Sequence, residues 1–167
     1  MQPAFSVIFL TTLIGVGQGL FLALFSSQAY SVVDVLPAQS GSFYALGGFM
    51  ALLFLIGGLI ASVFHLGHPE RAWRAATQWR TSWLSREVIA LPVTMGAIAL
   101  YALINWLGID ADLYGLGVHG QLALSVGVFG VVATIALFAC TAMIYAAIKF
   151  LQEWASPLTL ANYFLLG

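Results

Sequence analysis

The stretch SFYALGGFMALLFLIGGLIASVF, residues 42–64, contains no charged side chain. A helix needs about 20 mostly apolar residues to cross the hydrocarbon core of a bilayer, and this stretch is long enough to do so. A helix that is apolar on all sides is buried either in a large protein core or in lipid. In a chain of 167 residues the stretch therefore predicts a membrane-spanning helix.

The composition of the whole chain agrees with this prediction. Hydrophobic residues make up 62% of the sequence and charged residues 7%, whereas a soluble domain carries about 25% charged residues. The net charge of −1 leaves no basic surface for nucleic acid. The single cysteine, Cys140, excludes an internal disulfide and any Fe–S cluster whose thiolate ligands all come from this chain.

Three further segments are long and apolar enough to span a membrane, at residues 5–25, 88–107 and 122–148. Ser156 and Pro157 then have the residue types of a helix N-cap and first turn, which predicts the start of a fifth helix at 157–167. We predict an all-α integral membrane protein with one domain over residues 1–167, an up-and-down bundle of four full spans plus the start of a fifth. A half-helix would leave unpaired carbonyls in lipid, so we expect an N-terminal part of a longer protein or a further element that completes the helix.

The ionisable residues are concentrated between the second and third spans, in HLGHPERAWRAATQWRTSWLSREV, residues 65–88. This segment holds four of the five basic residues and two of the three histidines. The connections on the opposite side carry the acids Asp34, Asp110 and Asp112. Because lysine and arginine gather on cytoplasmic loops, we expect the N-terminus and the 65–87 loop to lie in the cytoplasm, with the spans in a bacterial inner membrane.

His65 and Glu87 are the candidate functional pair, because one loop joins them on the same side of the membrane. Histidine titrates near neutral pH, and an ionisable group at membrane depth is a functional candidate. Together the two side chains can accept and release two protons, as quinone reduction and quinol oxidation both require. Two other interpretations stay open: His65 as an interfacial anchor bonded to a carbonyl, and Glu87 as an acid stabilised by the helix dipole.

The arginines of the same loop, Arg71, Arg74, Arg80 and Arg86, fit three roles: clamping a quinone carbonyl, binding lipid phosphate or docking an acidic partner. For Arg74 and Arg86 we favour lipid or partner docking. Further candidates for lining the same pocket are Arg80, Ser85 and Gln18. For Gln18, the strongly polar side chain of the first span, an interhelical hydrogen bond is the alternative.

The histidine positions argue against haem. A membrane haem is gripped by two histidines at similar depth on facing helices. His119 is predicted about 30 Å from His65 across the membrane, and His65 and His68 are too close in sequence to bind both haem faces. We therefore expect no haem, and without an acidic cluster no metal site.

Two loop motifs carry a family resemblance. HLGHPERA at 65–72 matches the pattern H-L-G-x-P-x-R-A, and SWLSRE at 82–87 matches S-x-L-S-x-E. The chain thus resembles the membrane-anchor subunit of DMSO-reductase-type molybdoenzymes. The first span, PAFSVIFLTTLIGVGQGL, looks like the branch that serves sulfite-oxidising complexes.

The resemblance implies a haem-free bundle of eight helices that binds ubiquinone or menaquinone. It also implies a four-cluster Fe–S subunit and a molybdopterin catalytic subunit as partners, which would contain the Fe–S clusters and the molybdenum cofactor. The family's quinol-site histidine corresponds to His65, the glutamate of the second motif to Glu87, and the arginine of the first motif to Arg71.

The expected function is electron transfer between the Fe–S subunit and the quinone pool, with no substrate catalysis by this chain itself. The arginine-rich loop suggests a cytoplasmic docking face, which favours sulfite oxidation to quinone. Three alternatives remain: the anchor of a DMSO or other respiratory reductase that oxidises menaquinol, a purely structural anchor, and a transporter-like bundle. The last has little support, because no internal repeat is visible.

Overall fold

The computed structural model describes residues 5–63, 69–109, 120–147 and 157–166. These residues form helices and no strand. Four of the helices are long and apolar enough to cross a membrane, which confirms the predicted all-α membrane fold. The elements are α1 (Phe5–Val32), α2 (Gly41–Val63), a 3-10 helix (Pro69–Gln78), α3 (Trp83–Leu107), α4 (Gln121–Ala146) and α5 (Pro157–Leu166).

α1 is longer than the span predicted from the sequence: it ends at Val32 and not at residue 25. Polar residues follow residue 25, and one of them, Gln28, is buried and accepts a hydrogen bond from Tyr101 on α3. A partner from another helix therefore lets the helix continue through a polar stretch that hydropathy alone would exclude.

α3 begins at Trp83 rather than at Val88, because Ser82 caps it. The Ser82 side chain accepts a hydrogen bond from the backbone N–H of Ser85 at 3.4 Å, which pairs one of the free donors of the first turn. Glu87 therefore lies in the second turn of α3 and does not open the helix. α2 and α4 begin and end within two residues of the predicted bounds.

The four long helices form a closed bundle, since each packs on the next and α1 also packs on α4. α5 packs on α4. The helices alternate in direction, so α1 and α3 run parallel and α2 and α4 run against them. The N-terminal turns of α3 and the C-terminal turns of α4 thus share one end of the bundle, which we call the loop end. The other end is the far end.

Small residues let the helices approach closely. A Cβ atom on Gly58 of α2 would lie 3.2 Å from the carbonyl oxygen of Leu10 on α1. A Cβ atom on Gly130 of α4 would lie 2.7 Å from Cζ of Phe21, which is fully buried. Close packing at small residues is common between membrane helices.

The outer surface of the bundle is apolar, as contact with lipid requires. Many large hydrophobic side chains are exposed along all four spans. They include Phe9, Val16, Leu46, Leu53, Leu100, Leu103, Phe129 and Val132.

Candidate functional site

Glu87 is partly buried and faces α4 at the loop end. Its Oε1 atom accepts a hydrogen bond from Oγ1 of Thr141 at 2.6 Å. The Thr141 hydroxyl also lies 3.1 Å from the carbonyl oxygen of Leu137, its alternative acceptor one turn earlier. A short bond to a carboxylate is about twice as strong as one between neutral groups. The pair therefore joins α3 to α4 and fixes the direction of the carboxylate.

Arg86 shapes the turn that leads into α3. Its Nε donates to the carbonyl oxygen of Trp79 at 3.0 Å, and its Nη2 donates to that of Arg80 at 3.0 Å. The guanidinium carbon lies 4.2 Å from the centroid of the Trp83 ring, in cation–π contact. Arg86 thus holds the end of the polar segment against the first turn of α3. The sequence did not reveal this structural role.

Arg80 and Arg74 are exposed near the same end. The Arg80 guanidinium carbon lies 5.3 Å from the centroid of the Trp79 ring. Arg74 lies in the 3-10 helix, where its carbonyl oxygen accepts a hydrogen bond from Thr77. The backbone of Arg71 belongs to the same helix, but its side chain is outside the described structure. His65 also lies outside the described residues.

Ser85 and Gln18 are both buried, but at different depths. Ser85 is 3% exposed and lies two residues before Glu87. Gln18 is 2% exposed, and its Nε2 atom has no hydrogen-bond partner among the described residues. A Cβ atom on Gly130 would meet both Phe21 and Ala97, which places these three residues in one layer.

The depth of Gln18 follows from this layer. Gln18 precedes Phe21 by three residues on α1, and Thr94 precedes Ala97 by three on the parallel α3, so Gln18 and Thr94 share the next layer. Thr94 is two helical turns, about 10 Å, further into the membrane than Glu87. The structure therefore does not bring Gln18 into the layer of Glu87.

A heptad spacing marks the polar side chains of the interior. Glu87, Thr94 and Tyr101 recur every seventh residue on α3, and Thr134 and Thr141 do so on α4. Residues at this spacing lie on one helix face. The sequence analysis missed Thr141, although this spacing was the signal that could have found it.

Among the residues that the structure describes, no group of three or more His, Cys, Asp or Glu side chains is placed to hold a metal ion. Within the described part of the loop end, the chemistry available is that of the hydrogen-bonded carboxylate of Glu87. Such a group can hold or release one proton where the bundle meets the polar segment.

The family model of the DMSO reductase anchor subunit (DmsC) matches residues 1–167. The chain belongs to this family. A sulfite dehydrogenase subunit of Allochromatium vinosum is 58% identical to it over 169 residues, which cover 100% of this chain and 52% of that protein. The DmsC-family chain thus spans about half the length of the curated relative it matches. No solved structure matches it.

Membership of the DmsC family confirms the resemblance seen in the two loop motifs, and makes this a multi-pass membrane protein of the anchor type. The second motif, residues 82–87, is fully described. It contains the Ser82 cap, the Arg86 turn and the Glu87 carboxylate. Its residues therefore build the start of α3 and also place the ionisable group there.

Proposed function

We propose that this chain forms the quinone-reactive part of a membrane anchor subunit. It would pass electrons between an Fe–S subunit and the membrane quinone pool in a complex that oxidises sulfite. The observation that carries the proposal is the bond between Glu87 and Thr141. It sets a carboxylate inside the bundle at the loop end, within a motif of the family.

The carboxylate fits a quinone by its hydrogen-bonding chemistry. A carboxylate has about four acceptor positions, and Thr141 occupies one of them. The others suit the hydroxyl of a quinol, and a protonated carboxyl can donate to the carbonyl of a quinone. When bound, the quinone would supply two-electron redox chemistry, which Glu87 and Thr141 themselves lack.

The proton roles follow from the residue types. Glu87 would hold one proton at its carboxyl group, and His65 would hold the second at its imidazole. Arg71 would donate hydrogen bonds to a quinone carbonyl. Thr141 is a positioning residue, because its hydroxyl fixes the carboxylate against α4.

The partners and the orientation are part of the same proposal. The relative is named as a subunit of a sulfite dehydrogenase, which supports sulfite as the electron source. We place an Fe–S subunit and a molybdopterin catalytic subunit at the loop end, where Arg74 and Arg80 are exposed. The concentration of arginines there supports a cytoplasmic loop end in a bacterial inner membrane.

The test uses the full-length subunit in its assembled complex, with Glu87→Gln and His65→Arg as variants. Sulfite oxidation is measured with a water-soluble quinone and, separately, with an artificial acceptor that takes electrons from the Fe–S subunit. We expect quinone-linked turnover to fall by at least about 100-fold, the usual contribution of a proton-transfer group, while turnover with the artificial acceptor stays unchanged.

Two results would refute the proposal. If both variants retain full quinone-linked turnover, the quinone site lies elsewhere. If both variants lose assembly of the complex and the assembled fraction keeps its quinone-linked turnover, this part of the chain is a structural anchor.

A further inference from the structure

Two polar groups inside the bundle have no hydrogen-bond partner among the described residues: Nε2 of Gln18 on α1 and Oγ1 of Thr94 on α3. Gln18 is 2% exposed and Thr94 is fully buried. A molecule that packs on the outside of the bundle therefore does not reach either atom. Because an unpaired polar group in an apolar interior is unfavourable, buried polar groups nearly always bond to protein or to ordered water.

Thr94 differs from the other buried threonines of the described chain. Thr134 donates to the carbonyl oxygen of Gly130 at 2.8 Å, and the Thr141 hydroxyl lies 3.1 Å from that of Leu137. Both acceptors lie one turn earlier on the same helix, which is a common local bond for a helical threonine. Thr94 makes no such bond, so its hydroxyl is available to a group outside its own helix.

Gln18 and Thr94 share their layer with a third polar side chain, Thr134 of α4. The next layer towards the far end consists of Phe21, Ala97 and Gly130. Gln18 and Thr94 precede the first two of these by three residues, and Thr134 follows the third by four on the antiparallel α4. All three therefore lie one turn nearer the loop end on the same helix faces. We call Gln18, Thr94 and Thr134 the middle layer.

The hydrogen-bonding groups of the middle layer are complementary to water. Nε2 of Gln18 can only donate. The Thr134 hydroxyl already donates to Gly130, so its oxygen is left as an acceptor. The Thr94 hydroxyl can donate or accept. A ligand must therefore accept from Gln18 and donate to Thr134, and a water molecule does both.

An ion fits the middle layer poorly. The nearest carboxylate on α3 is Glu87, two helical turns or about 10 Å from Thr94, and an uncompensated charge at membrane depth is unfavourable. Leu91 and Leu137 occupy the turn between the middle layer and Glu87, and they are 7% and 0% exposed. The fully buried Phe21 lies on the other side of the layer. Apolar side chains thus separate the middle layer from both ends of the bundle.

We infer that the middle layer binds one internal water molecule. The water accepts hydrogen bonds from Nε2 of Gln18 and Oγ1 of Thr94, and it donates one to Oγ1 of Thr134. About three hydrogen bonds are typical of a buried water. The water joins α1, α3 and α4, and the leucines separate it from Glu87. The inference is therefore independent of the proposed quinone site.

The first measurement is a cryo-EM map of the assembled complex at a resolution that shows ordered water. We expect one peak within hydrogen-bond distance of Gln18 Nε2, Thr94 Oγ1 and Thr134 Oγ1. The same map of Thr94→Val, which removes the hydroxyl and keeps the branched shape, should lack this peak.

The second measurement is unfolding of the purified full-length subunit in mixed micelles. Thr94→Val and Gln18→Met should each raise the unfolding equilibrium constant about three- to tenfold, as loss of one net hydrogen bond does. The double variant should cost about as much as one single variant, because both substitutions remove the same water. Thr12→Val is the matched control, since Thr12 is exposed on α1, and it should change the constant by less than about twofold.

Three outcomes would overturn the inference. The first is a map without a peak in the middle layer, including one in which Gln18 bonds directly to Thr94. The second is a peak that persists unchanged in Thr94→Val. The third is an unfolding equilibrium constant that stays the same or falls in Thr94→Val and Gln18→Met, as removal of truly unpaired polar groups would give.

Discussion

Each end of the bundle has a hydrogen bond between the side chains of two helices, but the chemical groups that form it differ. At the far end, Tyr101 donates a hydrogen bond to Oε1 of Gln28 at 2.5 Å, joining α3 to α1. At the loop end, Thr141 donates to Oε1 of Glu87 at 2.6 Å, joining α4 to α3. Both bonds link two helices inside the bundle, but only the second uses a carboxyl group.

The two bonds differ in what it costs to place their groups inside the membrane. A neutral interhelical hydrogen bond is worth about 0.6 kcal/mol in a membrane protein, so the bond between Gln28 and Tyr101 makes a small contribution to helix association. A carboxylate costs more to place at membrane depth. Packing alone therefore does not account for Glu87, which is why we propose a proton-handling role for it.

The comparison is tested most directly by removing the hydroxyl of Thr141 or of Tyr101 with little change in the shape of the side chain. Thr141→Val should lower quinone-linked turnover about 10- to 100-fold, because the lost bond to a charged group is worth about 1.5–3 kcal/mol. Tyr101→Phe should leave the same turnover within about twofold, since its bond is to a neutral amide. Steady-state kinetics of the assembled complex measure both.

A role for Thr141 in positioning also predicts the form of the loss. Thr141→Ser keeps the hydroxyl and should restore most of the turnover. Equal turnover in Thr141→Val and the unmodified protein would remove the functional distinction between the two ends.

Close packing between the helices can be tested at two glycines that lie between the two ends of the bundle. Gly130→Ala places a Cβ atom against the ring of Phe21 and should destabilise the bundle by about 1–3 kcal/mol, the usual cost of overpacking. Gly96→Ala is the matched control, because a Cβ atom there meets nothing within 4 Å. It should stabilise the helix by about 0.5–1 kcal/mol. Unfolding of the purified subunit in mixed micelles gives both values, and equal stability of the two variants would contradict the packing.

The smallest expected effect is the coupling free energy of each interhelical hydrogen bond. A double-mutant cycle of Tyr101→Phe and Gln28→Leu should give a coupling free energy of about 0.6 kcal/mol. The same cycle for Thr141→Val and Glu87→Leu, read from unfolding, should give a larger value because the acceptor is a carboxylate. A larger coupling at the far end would reverse the order that we expect.

Much of the fold was readable from single segments. Residues 42–64 predicted α2 almost to its ends, because a membrane span requires a minimum length of apolar residues and that length is a local property. Where a partner from another helix matters, the sequence misled. α1 continues to Val32 because Gln28 meets Tyr101, and α3 starts at Trp83 because Ser82 caps it.

For the candidate site, too, some features could be predicted from the sequence and others depend on contacts between helices. Sequence motifs pointed to Glu87 and to the family, and these depend on residue type and spacing alone. The partner of Glu87 lies 54 residues away on α4, and the role of Arg86 at the turn depends on the carbonyl groups of Trp79 and Arg80 that the folded loop brings to it. His65 stays a prediction of the sequence.

The sequence by itself determined that this chain lies in a membrane, how many complete spans it has and which family it belongs to. Only the tertiary structure decided where the Glu87 carboxylate is held and what surrounds Arg86. The reason is physical: in lipid, apolar length fixes each helix separately, whereas a buried polar group is placed by a donor that another helix must bring to it.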